Sequence, residues 1–339
     1  MQLYSIHTGL FKLDGGAMFG VVPKTLWNKV NPADENNLCS WAMRCLLIED
    51  GDKLILVDNG IGDKQDAKFF SHYYLHGDDT LDKSLAAHGF HRDDITDVLL
   101  THLHFDHCGG SIVREGDRLV PAFRNAVYWS HEKHWKWAVE PNDREKASFL
   151  KENILPIQAS GQLQFVQATL PSPIIPSSQP GSHVASRLTQ QAADPAVASA
   201  SLSASGLAAS SLAALDKAIS NTPPRLEKID DVIIPGLSVR MANGHTDAMM
   251  LPQLQYKGRT IVFMADLLPS VGHIPLPWIM AYDMFPLTTL EERRSFWEEA
   301  AAGNYILFFE HDPVNECCLL QTTEKGIRAG EVFKLNIVS

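Results

Sequence analysis

Within six residues the chain places four potential metal ligands, His102, His104, Asp106 and His107, in the run Leu99-Leu100-Thr101-His102-Leu103-His104-Phe105-Asp106-His107-Cys108-Gly109-Gly110. The run follows Asp97-Val98-Leu99-Leu100, an apolar segment that reads as a buried strand. Side chains alternate along an extended segment, so His102 and His104 point the same way and can clasp one ion. Asp106 and His107 are neighbours, must diverge, and suit a second ion better than the same one. Gly109-Gly110 lets the backbone turn sharply without a Cβ clash. A lone His is most often a satisfied core or surface residue; three His and one Asp at this spacing specify a metal site.

His-x-His-x-Asp-His at a strand end resembles the signature of the metallo-β-lactamase superfamily of metal-dependent hydrolases. The family's other motifs have counterparts in order. Gly244-His245-Thr246 follows the strand-like Leu237–Met241 and resembles the isolated His. Asp266 ends the apolar run Thr260–Ala265 and resembles the bridging carboxylate, and His311 ends Tyr305–Glu310 and resembles the last His. Upstream, Leu54-Ile55-Leu56-Val57-Asp58-Asn59-Gly60 resembles the first motif, whose Asp orients the metal loop from behind the ligands. The resemblance implies an α/β fold, the metallo-β-lactamase-like αββα four-layer sandwich, with every ligand at a strand end along one edge.

It also implies the chemistry. His102, His104 and His245 hold one metal, Asp106, His107 and His311 hold the second, and Asp266 bridges, which makes Asp106 and Asp266 the catalytic carboxylates. Imidazole and carboxylate donors without thiolate suit two divalent ions, foremost Zn²⁺, although Mn²⁺, Fe²⁺ or Co²⁺ are also accepted by such a set. Two ions about 3.5–4 Å apart acidify a shared water to hydroxide at neutral pH, the expected nucleophile. One metal then polarises the substrate's carbonyl or phosphoryl oxygen and the other stabilises the leaving alkoxide.

The early stretch Leu13–Lys24, with its Asp14-Gly15-Gly16, resembles a subgroup that looks like N-acyl homoserine lactonases and methyl parathion hydrolase. In that subgroup the early loop approaches the metals, so Met18, Phe19 and Trp27, with Phe105, His273, Trp278 and Tyr282, are expected to form the substrate pocket. The expected activity is opening of a lactone or related ester, with N-acyl homoserine lactones as one candidate. The alternatives on the same site are an organophosphate triesterase and a glyoxalase II-like thioesterase, although no basic cluster suited to glutathione is evident. No Cys stands at a ligand position, which argues against β-lactam hydrolysis. A flavodiiron-type redox protein would need an extra carboxylate in the loop and a flavin domain, and a binding protein that had lost its metal would show eroded ligands. Some lactonases carry a Tyr three residues after the bridging Asp, where this chain has Pro269; Tyr282 or His273 are the residues that could stand in for it, each more naturally a packing or rim residue.

The 339 residues accommodate one large domain or two small ones, and the spread of motifs favours a single metallo-hydrolase domain over 1–339. Between 171 and 221 the composition turns to Ala, Ser and Pro, an insertion with Asp194–Ala218 open to one or two helices. A net charge of -11 argues against a nucleic-acid partner. A small-molecule substrate is expected, with no membrane partner, and a homodimer by analogy with related enzymes. The five Cys include the adjacent Cys317-Cys318 and suggest no disulfide framework, and Cys108 beside the metal loop reads as a small buried residue. Met1-Gln2-Leu3-Tyr4-Ser5 has no basic start or apolar h-region, so a cytoplasmic protein is expected, with a processed secreted form as the alternative.

Around the motifs, residues 1–30 read as a strand and a Gly-rich loop, and Trp41–Ile48 with Lys53–Asp58 as a hairpin. A helix is expected over Leu81–His88, stopped by Gly89, and a strand over Ala126–Ser130. Ser130 reads as the cap of a helix His131–Val139, where His131 and His134 read as packing or rim residues beside Trp135 and Trp137. A second helical stretch covers Arg144–Asn153. The insertion is expected between strands Leu163–Val166 and Val232–Ile234. Thr288 or Thr289 should cap a helix to Ala302, with Glu291 and Glu292 in its first turn.

Overall fold

The computed structural model describes residues 1–167 and 226–338. The first six-stranded sheet follows from two apolar hairpin-forming segments, β1 (Gln2–Asp14) and β2 (Leu38–Asp50), paired antiparallel and continued by β3 (Lys53–Val57). Then β4 (Asp97–Leu99) adds parallel to β3; a small hairpin of β5 (Ile112–Glu115) and β6 (Arg118–Pro121) stands apart; and β7 (Val127–Ser130) and β8 (Leu163–Phe165) extend the sheet in parallel.

Alternation along these strands builds the layers. Leu46 and Ile48 of β2, with Ile55 and Val57 of β3, face the second sheet, whereas Cys45, Leu47, Leu54 and Leu56 pack under the helices Leu81–Ala87, Glu132–Val139 and Lys151–Ala159. Both faces are therefore apolar, as a sheet covered on each side requires. The second sheet runs β9 (Glu227–Ile229), β10 (Leu237–Ala242), β11 (Met249–Tyr256), β12 (Arg259–Phe263), β13 (Ile306–Phe308), β14 (Cys317–Thr323) and β15 (Gly326–Phe333), antiparallel except for β12 with β13. Phe296, Trp297 and Ala300 of the helix Pro286–Ala302 close its outer side. The architecture is the expected αββα sandwich. Each fully buried large aliphatic or aromatic side chain in it contributes on the order of 1.5–3 kcal/mol.

Parallel pairing gathers the functional ends. Val57 pairs with Leu99, so the segments leaving β3 and β4 emerge side by side, Asp58 from one and Thr101-His102 from the other. Phe263 pairs with Phe308, and three residues beyond each stand Asp266 and His311. The sheets are stitched at this edge by Ala42 N donating to His311 O and Met250 N to Thr101 O.

Several local expectations differ. The Gly-rich segment is a short helix, Gly15–Phe19, because Asp14 caps it by accepting from Ala17 N. His131, not Ser130, caps the helix Glu132–Val139. The second helical stretch is displaced to Lys151–Ala159, and Glu145 lies in the turns before it, bonded to His104. Residues 231–234 are bends, and Glu227–Ile229 takes the strand position instead. The last helix starts at Pro286, whose fixed φ suits the first turn, and Glu292 caps a different segment. The insertion expected at 171–221 lies outside the described residues. Among the described residues no helix is long and apolar enough to cross a membrane.

Candidate metal centre

His102, His104, His245 and Asp266 form one group whose ligand atoms converge, and Asp106, His107 and His311 form another. All seven residues expected from sequence are thus brought together. In the first group, His104 Nδ1 lies 3.0 Å from His102 Nε2 and 3.2 Å from His245 Nε2. In the second, His107 Nε2 and His311 Nε2 are 3.1 Å apart, and Asp106 Oδ2 lies 3.8 and 3.9 Å from them. Nitrogens around a tetrahedral zinc sit roughly 3.3–3.4 Å apart, given Zn–N bonds near 2.0–2.1 Å, so the clusters fit an ion each. Asp266 links them: Oδ2 is 3.0 Å from His245 Nε2, and Oδ1 is 2.9 Å from His311 Nε2 and 3.5 Å from His107 Nε2. Oδ1 is buried without a well-aligned hydrogen bond, an orphan that a cation would satisfy.

The outward nitrogen of each imidazole is held, which fixes its tautomer and aims the bare nitrogen inward. Asp58 accepts from Thr101 N and Thr101 Oγ1, and its Oδ2 lies 3.1 Å from His107 Nδ1. Thr101 Oγ1, having donated to Asp58, accepts from His102 Nδ1 at 3.0 Å. His311 Nδ1 donates to Ala42 O at 2.8 Å. Asp58 and Ala265, the latter next to Asp266, both adopt left-handed φ, 56° and 40°. Non-glycine residues in that region cost of order 1–3 kcal/mol each, strain that the surrounding bonds here sustain.

Three further carboxylates were not found by sequence reasoning. Glu145 Oε1 lies 2.9 Å from His104 Nε2, while Glu145 Oε2 accepts from Trp137 Nε1 and Asn142 Nδ2. Burial opposes its ionisation, but His104 and the other donors hold its carboxyl down at about 2. Asp283 Oδ1 lies 2.9 Å from His245 Nδ1. Glu310 Oε2 lies 3.0 Å from His107 Nδ1, beside the nitrogen's bond to Asp58, and burial pushes Glu310 up to about 8. The one available signal was for Glu310, an acid closing the buried run Ile306–Phe309.

Burial lowers His102 and His104, favouring the neutral imidazoles that bind metal. Burial would do the same to His245 and His311, but Asp266 raises them to about 10 and about 9.

A cavity of about 420 Å³ opens over the cluster, bounded by His104, Asp106, His245, Asp266 and His311 at its base. Of the pocket residues expected from sequence, Met18, Phe105 and Tyr282 line it. Phe19, Trp27, His273 and Trp278 do not. Phe19 stacks between Trp27 and His273 at centroid distances of 5.3 and 4.3 Å, and Trp278 meets it edge-on at 5.8 Å, so these rings form a layer behind the wall. His273 is fully buried with both nitrogens engaged, by Ser270 Oγ and Met18 O, and burial lowers it to about 3. It positions Met18 and cannot replace the missing Tyr. Tyr73, Arg144, Met280 and Met284 also line the cavity. His134 packs as expected, its Nε2 accepting from Leu103 N in the metal loop. Cys108 Sγ bonds Leu103 O and faces away.

A family model described as the metallo-beta-lactamase superfamily matches residues 44–311. No curated protein matches the chain in sequence. Among solved structures, a probable metal-dependent hydrolase from Staphylococcus aureus is similar at 22% identity and a TM-score of 0.72, over 98% of this chain and 96% of that one. AidC, described as a dizinc quorum-quenching lactonase and solved with a product homoserine, is similar at 18% identity and a TM-score of 0.65, over 98% and 95%. A hydrolase of the beta-lactamase superfamily named AbOPH follows at 19% and 0.66, over 98% and 94%. These structural likenesses share the fold.

Proposed function

Because the chain belongs to the metallo-beta-lactamase superfamily and is a hydrolase of that fold, we propose that it opens a lactone or related carboxylic ester at a dinuclear metal centre. The reading is carried by Asp266, whose two oxygens face two separate histidine clusters at 3.0 and 2.9 Å. His102, His104 and His245 would hold one ion and Asp106, His107 and His311 the other, with Asp266 shared. The donor set lacks thiolate, which together with the dizinc neighbour supports zinc. When bound, such a pair of ions acidifies a shared water and acts as a Lewis acid toward a carbonyl oxygen.

The chain's own residues supply the rest. Asp266 fixes the spacing of the clusters, and Thr101, Asp58, Glu145, Asp283 and Ala42 O keep the imidazoles from turning. Met18, Phe105, Met280 and Met284 provide an apolar, adaptable wall for an acyl chain and limit water around the ester. Tyr282 lines the cavity at 38% exposure, its hydroxyl has no hydrogen-bond partner among the described residues, and it can donate to the substrate's carbonyl oxygen. N-acyl homoserine lactones fit this description; one structural neighbour is described as an N-acyl homoserine lactone lactonase, and two were solved with the product N-hexanoyl-L-homoserine.

The test is metal content by elemental analysis together with turnover of a panel: lactones of graded acyl length, a phosphotriester and a thioester. About two metals per chain with lactone turnover is the expected result. Turnover confined to the phosphotriester or thioester would move the substrate assignment, and failure to bind metal on reconstitution would overturn the dinuclear reading.

A further inference from the structure

Two loops contribute to the cavity wall, and each carries a carboxylate that holds a histidine of the first cluster. Residues 142–148 carry Glu145, bonded to His104, and residues 280–284 carry Asp283, bonded to His245. Arg144 Nη2 donates to Ala281 O and so ties one loop to the other. Arg144 is also the sole Lys or Arg among the described residues lining the cavity.

The acids around it are already committed. Asp143 pairs with Lys146 at 2.9 Å, both oxygens of Glu145 are used, and Asp283 is buried against His245. Among the described residues no carboxylate lies within ion-pair distance of Arg144, although the chain as a whole carries a net charge of -11. One guanidinium N–H group is spent on a backbone carbonyl, and the planar fork retains donors suited to a carboxylate. The same cavity is lined by the apolar side chains of Leu13, Met18, Phe105 and Met280.

We propose that Arg144 binds a carboxylate on the substrate's acyl arm, remote from the bond that is cleaved, so that the favoured substrates are esters or lactones with an acidic acyl end. The inference rests on the hydrolytic reading of the site. A methylene chain would lie along the apolar wall, its scissile carbonyl over the ligand cluster and its far carboxylate at Arg144. A charge-assisted bond of this kind changes affinity by about 10- to 100-fold.

The experiment uses the full chain loaded with zinc, as wild type, Arg144→Gln and Arg144→Lys. Two esters with the same six-carbon acyl length are compared, ethyl hexanoate and monoethyl adipate, whose free acid lies at the far end. Wild type should prefer monoethyl adipate in kcat/KM. Arg144→Gln should lower the ratio between the two esters by about 10- to 100-fold, chiefly through KM, and Arg144→Lys should keep part of it. A ratio unchanged in Arg144→Gln overturns the proposal whatever happens to the absolute rates, and leaves Arg144 as a tie between loops. Calorimetric binding of adipate and hexanoate separates this inference from the reading beneath it. If neither these esters nor any lactone of graded acyl length is turned over, the hydrolytic reading fails, while adipate binding lost in Arg144→Gln still supports the anion site. Equal adipate binding by both proteins refutes it.

Discussion

Glu145 Oε1 stands 2.9 Å from His104 Nε2, which turns His104 so that Nδ1, not Nε2, faces the first ligand cluster. His102 and His245 present Nε2 to the same cluster. A single carboxylate from a turn 41 residues away therefore selects which ring nitrogen is turned toward the cluster. Glu145→Gln keeps an acceptor for His104 but puts an NH₂ group among donors from Trp137 and Asn142. Losing such support behind a ligand typically costs about 10- to 100-fold in metal affinity or activity. That loss is expected here, with an unchanged circular dichroism spectrum. Competition against a chelating dye measures it, and wild-type affinity in the mutant would remove Glu145 from the metal site's support.

Asp266→Asn tests the link between the clusters. The amide keeps one oxygen but turns a donor toward one set of imidazoles, and it removes the charge that faces His245 and His311. At least one ion should be lost, and kcat/KM should fall by about 10³-fold or more, equivalent to several kcal/mol of lost stabilisation. Two ions per chain with more than a tenth of the activity would rule out a bridging role.

The glycines after the ligand motif give a third prediction. A Cβ on Gly109 would lie 2.1 Å from Ile61 O, and one on Gly110 2.3 Å from Asn59 O. Both obstacles are backbone, in the segment where Asn59 N donates to His107 O and Gly60 O accepts from Gly110 N. Gly109→Ala or Gly110→Ala should push the His107 segment off its support, destabilising the fold by about 1–3 kcal/mol and weakening the second cluster's hold on its ion. Thermal melts with and without chelator measure both effects. Melts matching wild type in each condition would mean that the contact is slack.

The same glycines mark the limit of what the sequence discloses. Their presence points to a turn, yet Gly109 has an ordinary helical φ of -61°, and the requirement comes from a loop some fifty residues earlier in the chain. The seven candidate ligands were legible because each stands at or just past a strand end, where residue type and local apolar pattern coincide. Glu145 and Asp283 were not, because their partners lie 41 and 38 residues away and nothing local distinguishes them from surface acids. The aromatic layer was misread for a related reason. Phe19, Trp27 and Trp278 pack on one another behind the wall, and Met18 and Tyr282 reach the cavity instead. The last helix shows propensity overridden: Thr288 and Thr289 are good caps, yet Pro286 begins the helix, leaving Thr289 buried against Gly244 and Glu292 free to serve the loop before His245.

That use of Glu292 makes the stability of the first cluster's support dependent on pH. Its two oxygens accept from Asn243 N and Gly244 N, just ahead of His245, yet burial pushes its carboxyl up to about 7. A folded pKa above the unfolded value of 4.5 means that the native state binds more protons than the unfolded chain between those two values. Stability from this group is therefore full below about pH 4.5 and declines as pH rises through 7. The decline is at most about 3 kcal/mol, from 1.36 kcal/mol per pKa unit. Glu292→Gln carries no titrating proton, so the mutant's stability relative to wild type should rise between pH 5 and pH 8. At pH 5 the mutant should be the less stable protein, because its NH₂ group opposes one of the two backbone donors. Urea denaturation across that pH range, with metal content held constant, reads the difference directly. A constant difference would show that Glu292 is ionised throughout, stabilised by the two N–H bonds more than it is penalised by burial.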